Sequence, residues 1–274
     1  MLIDQKPVIF TDLDGTLLDH DDYSFSAAKP MLAKLAGAQI SVIPNTSKTR
    51  AEVELLRDKM GLSGPFIVEN GAAIYLPNSF LPFAPDGMEN VGDYLRFAFA
   101  APRQKWLNLL QSVDTQFKGL FRHFAAMTVE QVCEATGLSK TDAELAMQRE
   151  FGEPIEWLGN EQQKEVFLQA LINLGATPVE GGRFIHLKDQ CDKAHAMKWL
   201  MTQLKQQFAH HNWVSIALGD GQNDVAMLAA ADYPVRITSP VNALPEFKTH
   251  KPIITSTFTG PAGWSECLES LLFQ

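Results

Sequence analysis

Two aspartates, Asp12 and Asp14, follow directly on the apolar run VIFT. Alternate residues of an extended segment point the same way, so the two carboxylates share a side, and Gly15 lets the chain turn sharply after them. Two other apolar runs end in related chemistry: SVIP is followed by Asn45, Thr46, Ser47 and Lys48, and VSIALG by Asp220, Asn223 and Asp224. Carboxylates gathered in one place repel one another and resist desolvation unless a cation or proton compensates them. Oxygen ligands from separate strands suit a hard octahedral cation such as Mg2+, and such an ion also binds a substrate phosphate. The pattern then allows Asp12 to attack phosphorus, while Asp14 protonates the leaving oxygen and later activates water. A phosphoryl group in transfer carries charge on its equatorial oxygens and needs donors and cations around it. Thr46, Ser47 and Lys48 are placed to supply them, and Lys193 is a further candidate cation; alternatively, Asp192 and Lys193 simply begin a helix, with Asp192 as its cap.

These residues converge only if the runs before them lie side by side and parallel. The first third of the chain alternates PVIFT, SAAKPMLAKLAG, QISVIP, TRAEVELLRDKMG and PFIVEN. That reads strand, helix, strand, helix, strand, the grammar of a parallel sheet covered by helices, whose ligands bind beyond the carboxyl ends of the strands. Thr49 and Glu52 form a capping-box pair, and Gly61 marks the end of the second helix. ENGAAIYLP reads as a turn and a returning strand. The pattern resumes late, with CDKAHAMKWLMTQLKQQF as a helix, WVSIALG as a buried strand, VAMLAAA as a helix, YPVRI and KPIIT as strands, and a last helix opened by Gly260 and Pro261. Between the halves the texture changes. Helices are expected at 102–117, 128–136, 139–149 and 160–174, and weaker strands near 94–98, 154–158, 177–180 and 183–187. The expected organisation is α/β: a core of 1–83 and 188–274, and an inserted α+β domain at 84–187.

At 274 residues with 46% hydrophobic content, the chain is long enough for a substantial core in two domains. A formal net charge of −9 disfavours nucleic acid as a partner. MLIDQKPVIF lacks a basic leader followed by an apolar stretch, and no run approaches the roughly 18 apolar residues of a membrane span. A soluble, cytoplasmic protein without a membrane partner is the expectation. Cys133, Cys191 and Cys267 are odd in number and widely spaced, which suits a reducing compartment and gives no zinc pattern.

The order DLDGT at 12–16, a strand-end Thr46, a helix-start Lys193 and GDGQND at 219–224 resembles the four motifs of the haloacid dehalogenase superfamily of phosphohydrolases. The resemblance implies a Rossmannoid core with a parallel sheet, and the inserted domain is similar in size and position to a type IIB cap. It implies Asp12 as nucleophile, Asp14 as general acid and base, and Thr46 and Lys193 as holders of the phosphoryl group. It further implies Mg2+ held by Asp12, the backbone carbonyl of Asp14 and Asp220, with Asp224 as an auxiliary ligand and Asn223 near the phosphate. More narrowly, NTSKTRAE, IVENGAAI, GGRFIHL and GDGQND resemble the corresponding segments of mannosyl-3-phosphoglycerate phosphatases. Ser47-Lys48-Thr49 is the most telling local mark, since many superfamily members have a Gly-Arg pair at positions 47 and 48. Asn45 departs from that pattern, where a smaller residue is expected.

Several features have two readings. Asp19, Asp21 and Asp22 line a pocket or form a solvated acidic loop, and the latter is the expectation. Glu69 and Asn70 reach the substrate from the third strand end, or Asn70-Gly71 is a hairpin turn. Arg183 and His186 suit a glycerate carboxylate and sugar hydroxyls, or serve as a salt bridge and a core position. His123, His195, His210, His211 and His250 show no metal-ligand spacing. The expected partner is a small phosphorylated glycoside or phosphosugar. The expected activity is Mg2+-dependent phosphomonoester hydrolysis, with mannosyl-3-phosphoglycerate implied as substrate. The alternatives are glucosyl-3-phosphoglycerate or another phosphosugar as substrate, a phosphosugar mutase, and a phosphate-binding module without turnover.

Overall fold

A computed structural model describes residues 4–181 and 183–274. Met1–Ile3 and the Gly182 position of GGRFIHL lie outside the described residues. In chain order the elements are β1 (Lys6–Thr11), α1 (Lys29–Gly37), β2 (Ser41–Pro44), α2 (Arg50–Met60), β3 (Phe66–Val68), β4 (Ala73–Pro77), β5 (Glu89–Val91) and β6 (Tyr94–Ala98). Next come α3 (Gln104–Val113), β7 (Phe121–His123), α4 (Val129–Thr136), α5 (Lys140–Ala146), β8 (Glu153–Trp157), α6 (Glu161–Asn173), β9 (Val179–Gly181) and β10 (Phe184–Leu187). The chain closes with α7 (Lys193–Gln207), β11 (Trp213–Gly219), α8 (Val225–Ala230), β12 (Tyr233–Thr238), β13 (Ile254–Thr259) and α9 (Gly260–Phe273).

Contacts divide the chain into two units. The first comprises Met1–Ser47, Leu55–Ala98 and Asp192–Gln274, and the second Lys48–Glu54 and Phe99–Cys191. The sequence boundaries of 83/84 and 187/188 thus stand against 98/99 and 191/192. The difference at the first has a plain cause: β6, read as part of the insertion, pairs along its length with β4, from Ala73 opposite Ala98 to Pro77 opposite Tyr94.

The first unit is built on a parallel five-stranded sheet of order β13-β12-β11-β1-β2. β1 and β11 are its centre, and a strand covered on both faces reads as an unbroken apolar run. Val8, Ile9 and Phe10 of β1 and Ile216, Ala217 and Leu218 of β11 are accordingly buried. Trp264 of α9 is also fully buried, and its indole N–H donates to Thr11 Oγ1 at 3.0 Å, tying the last helix to the end of β1. β3 joins through a single parallel bridge, Asn45 to Ile67, and continues into an antiparallel sheet of order β3-β4-β6-β5.

The second unit holds an antiparallel sheet of order β7-β8-β10-β9. Trp106, Leu110 and Val113 of α3 and Phe167 and Leu171 of α6 pack with Ile155, Ile185 and Leu187. Each such side chain contributes about 1.5–3 kcal/mol when fully buried. Capping fixes where the helices start: Asn160 and Gln163 form a complete box at α6, and Thr128 and Gln131 another at α4. The expected box at α2 also forms, with the Thr49 N–H donating to Glu52 Oε2 at 2.8 Å and the Glu52 N–H to Thr49 Oγ1 at 3.3 Å. Among the described residues no helix is long and apolar enough to cross a membrane.

Candidate active site

The parallel register carries three chain segments to the same strand ends. The Asp12 N–H donates to Leu218 O at 2.9 Å, just past the β1–β11 ladder, and the Asn45 N–H donates to Thr11 O at 2.8 Å. Asp12, Thr46 and Asp220 therefore emerge at one level, as ligand groups do in open α/β sheets. Thr46 is fully buried, and its N–H donates to Ile67 O at 3.1 Å.

At the centre is Lys193, the first residue of α7 and wholly buried. Its ammonium donates to Asp12 Oδ1 at 2.7 Å and to Asp224 Oδ1 at 2.6 Å. Asp192 caps the helix as well, accepting from the His195 N–H at 3.0 Å. Asp192 thus caps the helix while Lys193 sends its ammonium into the carboxylate group. Burial works against the lysine's charge, but attraction to Asp12 and Asp224 outweighs it and raises its pKa above the ordinary value.

Asp12, Asp220 and Asp224 offer carboxylate oxygens within 4.8 Å of one another, all buried. The Lys193 ammonium bonds Asp12 and Asp224, and with Asp220 beside them the buried set is left with uncompensated negative charge. Burial first and the Asp12 charge second push the pKa values of both Asp220 and Asp224 upward. A donor set of carboxylate oxygens is what a hard divalent cation takes. The three are not equivalent. Asp224 spends both oxygens on hydrogen bonds, one on Lys193 and the other on the N–H groups of Asp220 at 3.1 Å and Gly221 at 3.0 Å. Asp220 accepts Thr16 Oγ1 at 3.1 Å on one oxygen and Asn242 Nδ2 at 3.1 Å on the other.

Asp14 is half-buried and lies outside that carboxylate cluster; its backbone forms an isolated bridge with Leu18. The turn between them needs Gly15, at φ +75° with Asp220 directly behind: a Cβ there would lie 2.7 Å from the Asp220 carboxylate. On the opposite rim, Glu69 and Asn70 adopt φ of +47° and +58°. The Asn70 N–H donates to Thr46 O at 2.8 Å, and its side-chain oxygen accepts Asn223 Nδ2 at 3.1 Å. Asn70 is therefore both a turn residue and a neighbour of Asn223.

Lys48, Arg183 and His186 belong to the second unit. Lys48 lies 3.7 Å from Glu52. Arg183 is exposed and donates to Thr136 O at 2.6 Å. Burial, then the positive charges of Arg149 and Lys188, lower His186 to about 4, so it is neutral at pH 7. The acidic loop behaves as a solvated turn: Asp19 accepts the N–H groups of Asp21 and Asp22, and Asp22 that of Ser24. Thr16, Asn242 and Arg149 were not among the sequence candidates. Thr16 was visible inside DLDGT, whereas Asn242 lies in a long irregular stretch with no pattern to single it out.

Residues 9–84 match the family model of haloacid dehalogenase-like hydrolases. A glucosyl-3-phosphoglycerate/mannosyl-3-phosphoglycerate phosphatase of Methanococcoides burtonii is 33% identical over 267 residues, 97% of each chain. A mannosyl-3-phosphoglycerate phosphatase of Pyrococcus furiosus is 34% identical over 82% of this chain and 88% of its own. Among solved structures, a haloacid dehalogenase-like hydrolase from Bacteroides thetaiotaomicron superposes with a TM-score of 0.68 at 17% identity, covering 98% of this chain and all of that one.

Proposed function

The chain belongs to the haloacid dehalogenase-like hydrolases, as a hydrolase of phosphoric monoesters, and from that premise we propose that it is a Mg2+-dependent phosphatase, acting in the cytoplasm, that converts mannosyl-3-phosphoglycerate to mannosylglycerate through an aspartyl phosphate on Asp12. The observation that carries this reading is the buried group of three carboxylates, two of which, Asp12 and Asp224, bond the Lys193 ammonium. Bound by Asp12, Asp220 and the Asp14 carbonyl, Mg2+ would neutralise the phosphate oxygens and the crowded carboxylates.

The remaining roles fall to the chain's own side chains. Asp12 attacks phosphorus as the ester P–O bond breaks, and Asp14 gives its proton to the departing alkoxide. Asp14, now a carboxylate, takes a proton from the water that attacks the aspartyl phosphate, releasing inorganic phosphate and restoring Asp12. Lys193 holds Asp12 in its attacking position and, with Thr46, Ser47 and Asn223, balances charge on the phosphoryl oxygens. Asp224 anchors Lys193 and the Asp220–Gly221 backbone. Glu69 and Asn70 form the rim beside Asn223. The second unit is assigned to substrate selection, Arg183 and Lys48 toward the glycerate carboxylate and the neutral imidazole of His186 toward sugar hydroxyls. Free cysteines suit a reducing compartment.

The Methanococcoides relative, a phosphatase of both glycosyl phosphoglycerates, favours a second substrate, glucosyl-3-phosphoglycerate. The test is phosphate release from both glycosyl phosphoglycerates and from para-nitrophenyl phosphate, with Mg2+ or with excess chelator. Stoichiometric phosphate release from a glycosyl phosphoglycerate, lost in chelator, is expected. Equal rates in chelator overturn the metal role. Turnover of para-nitrophenyl phosphate alone overturns the assigned substrates. Transfer of the phosphoryl group to a sugar makes the protein a mutase.

A further inference from the structure

Asn45, which departs from the superfamily pattern, lies wholly buried at the end of β2. Its backbone is held on both sides, donating to Thr11 O at 2.8 Å and bridging to Ile67. Its side-chain NH2 has two donors, and both are used: one reaches the Lys193 carbonyl at 2.9 Å and the other Met227 Sδ at 3.2 Å. Its side-chain oxygen finds no partner among the described residues. A buried unsatisfied acceptor is destabilising, a cost that an apolar side chain avoids. What the position gains is the donor half of the amide. The orientation is forced, because the Lys193 carbonyl is an acceptor and would repel the amide oxygen if the group were turned over.

We propose that Asn45 is a positioning residue for Lys193, holding the first turn of α7 against β2 so that the ammonium spans Asp12 and Asp224. This rests on the reading of the site as a phosphatase centre. The side-chain ends of the clamp are the two short bonds from the ammonium. The backbone ends are Asn45 on the Lys193 carbonyl and Gly71 against Asp192. At Gly71, φ +89°, a Cβ would lie only 2.0 Å from Asp192 O, so the β3–β4 turn abuts the start of the helix with no room for a side chain. With both ends fixed, the ammonium cannot follow one carboxylate away from the other. A displacement near 1 Å at a reacting centre costs on the order of a hundredfold in rate, so partial loosening of one end is expected to cost about tenfold.

Asn45→Leu keeps the branched shape, with some added bulk, and removes the donors. With para-nitrophenyl phosphate as the probe, kcat is expected to fall about tenfold with KM within about twofold. In a Lys193→Met background the same substitution should leave the residual rate within about twofold, because the group it acts through is gone. If Asn45→Leu does not fold, Asn45→Ala is read in the same cycle. A folded variant whose kcat is within about twofold of the parent overturns the proposal, as do equal losses in both backgrounds. An inactive parent instead refutes the phosphatase reading, so the two failures are separable.

Discussion

Each unit buries a cluster of charge, and the two clusters are built to opposite plans. In the second unit Glu153 is 1% exposed, yet its carboxylate accepts from the Arg103 guanidinium, from His123 Nδ1 at 2.8 Å and from the Ala125 N–H at 2.8 Å. Burial alone would raise its pKa, but these partners outweigh it and the pKa falls below the ordinary carboxylate value. In the first unit three buried carboxylates lie together with one ammonium, which bonds only Asp12 and Asp224, and Asp220 and Asp224 are pushed up. A compensated charge ties β8 to its neighbours and asks for nothing more. An uncompensated one is costly to the empty protein and gains from whatever positive group arrives.

The comparison can be broken at four places. Asp12→Asn removes one charge from the crowded cluster, so phosphate release should drop by at least about a thousandfold while the fold stays as stable or becomes more so. A destabilised Asp12→Asn protein would mean that the first cluster is structural, like the second. Glu153→Ala should do the reverse, lowering unfolding free energy by about 3–5 kcal/mol by stranding Arg103, with turnover of para-nitrophenyl phosphate per folded molecule within about twofold of the parent. Denaturant titration and active-site counting separate those effects. Mg2+ at a hundredfold excess over its dissociation constant should stabilise the parent by about 2.7 kcal/mol, and Asp220→Asn should abolish most of that gain. Equal metal stabilisation in Asp220→Asn would remove Asp220 from the ligand set.

The smallest effect is in pH. His186 has a folded pKa of about 4 against an ordinary 6.5, so below pH 6.5 the unfolded chain binds a proton that the folded one refuses. The His186 contribution should therefore lower stability in acid, by about 2 kcal/mol between pH 7 and pH 5, and His186→Gln should remove that part of the profile. An unchanged slope in the variant would assign the acid sensitivity to other groups.

Much of the first unit was legible because its signals are local. WVSIALG is an unbroken apolar run and forms β11 over those residues, and Gly260-Pro261 opens α9 as read. KPIIT misplaced β13, which starts at Ile254 and runs on through polar, largely exposed residues to Thr259. β5 and β7 escaped notice because each is three residues long, with no alternation to detect. At the site, DLDGT and GDGQND marked their own residues by spacing. The long-range partnerships had no such mark. Asn45 meets Lys193 across 148 positions, and Asn242 reaches Asp220 from an irregular loop. Nothing in the sequence singles out Glu153, and only the fold brings Arg103 and His123 to it.

In the proposed mechanism Asp12 carries the phosphoryl group. Asp14→Asn slows the attack of water, and para-nitrophenyl phosphate has a leaving group that needs no proton, so the covalent species should accumulate in that variant. Acid quenching followed by peptide mass spectrometry should find one phosphoryl group on the peptide that contains Asp12, formed with Mg2+ and absent with chelator. Release of para-nitrophenol without any phosphorylated Asp12, or a phosphoryl group on another residue, would contradict the mechanism.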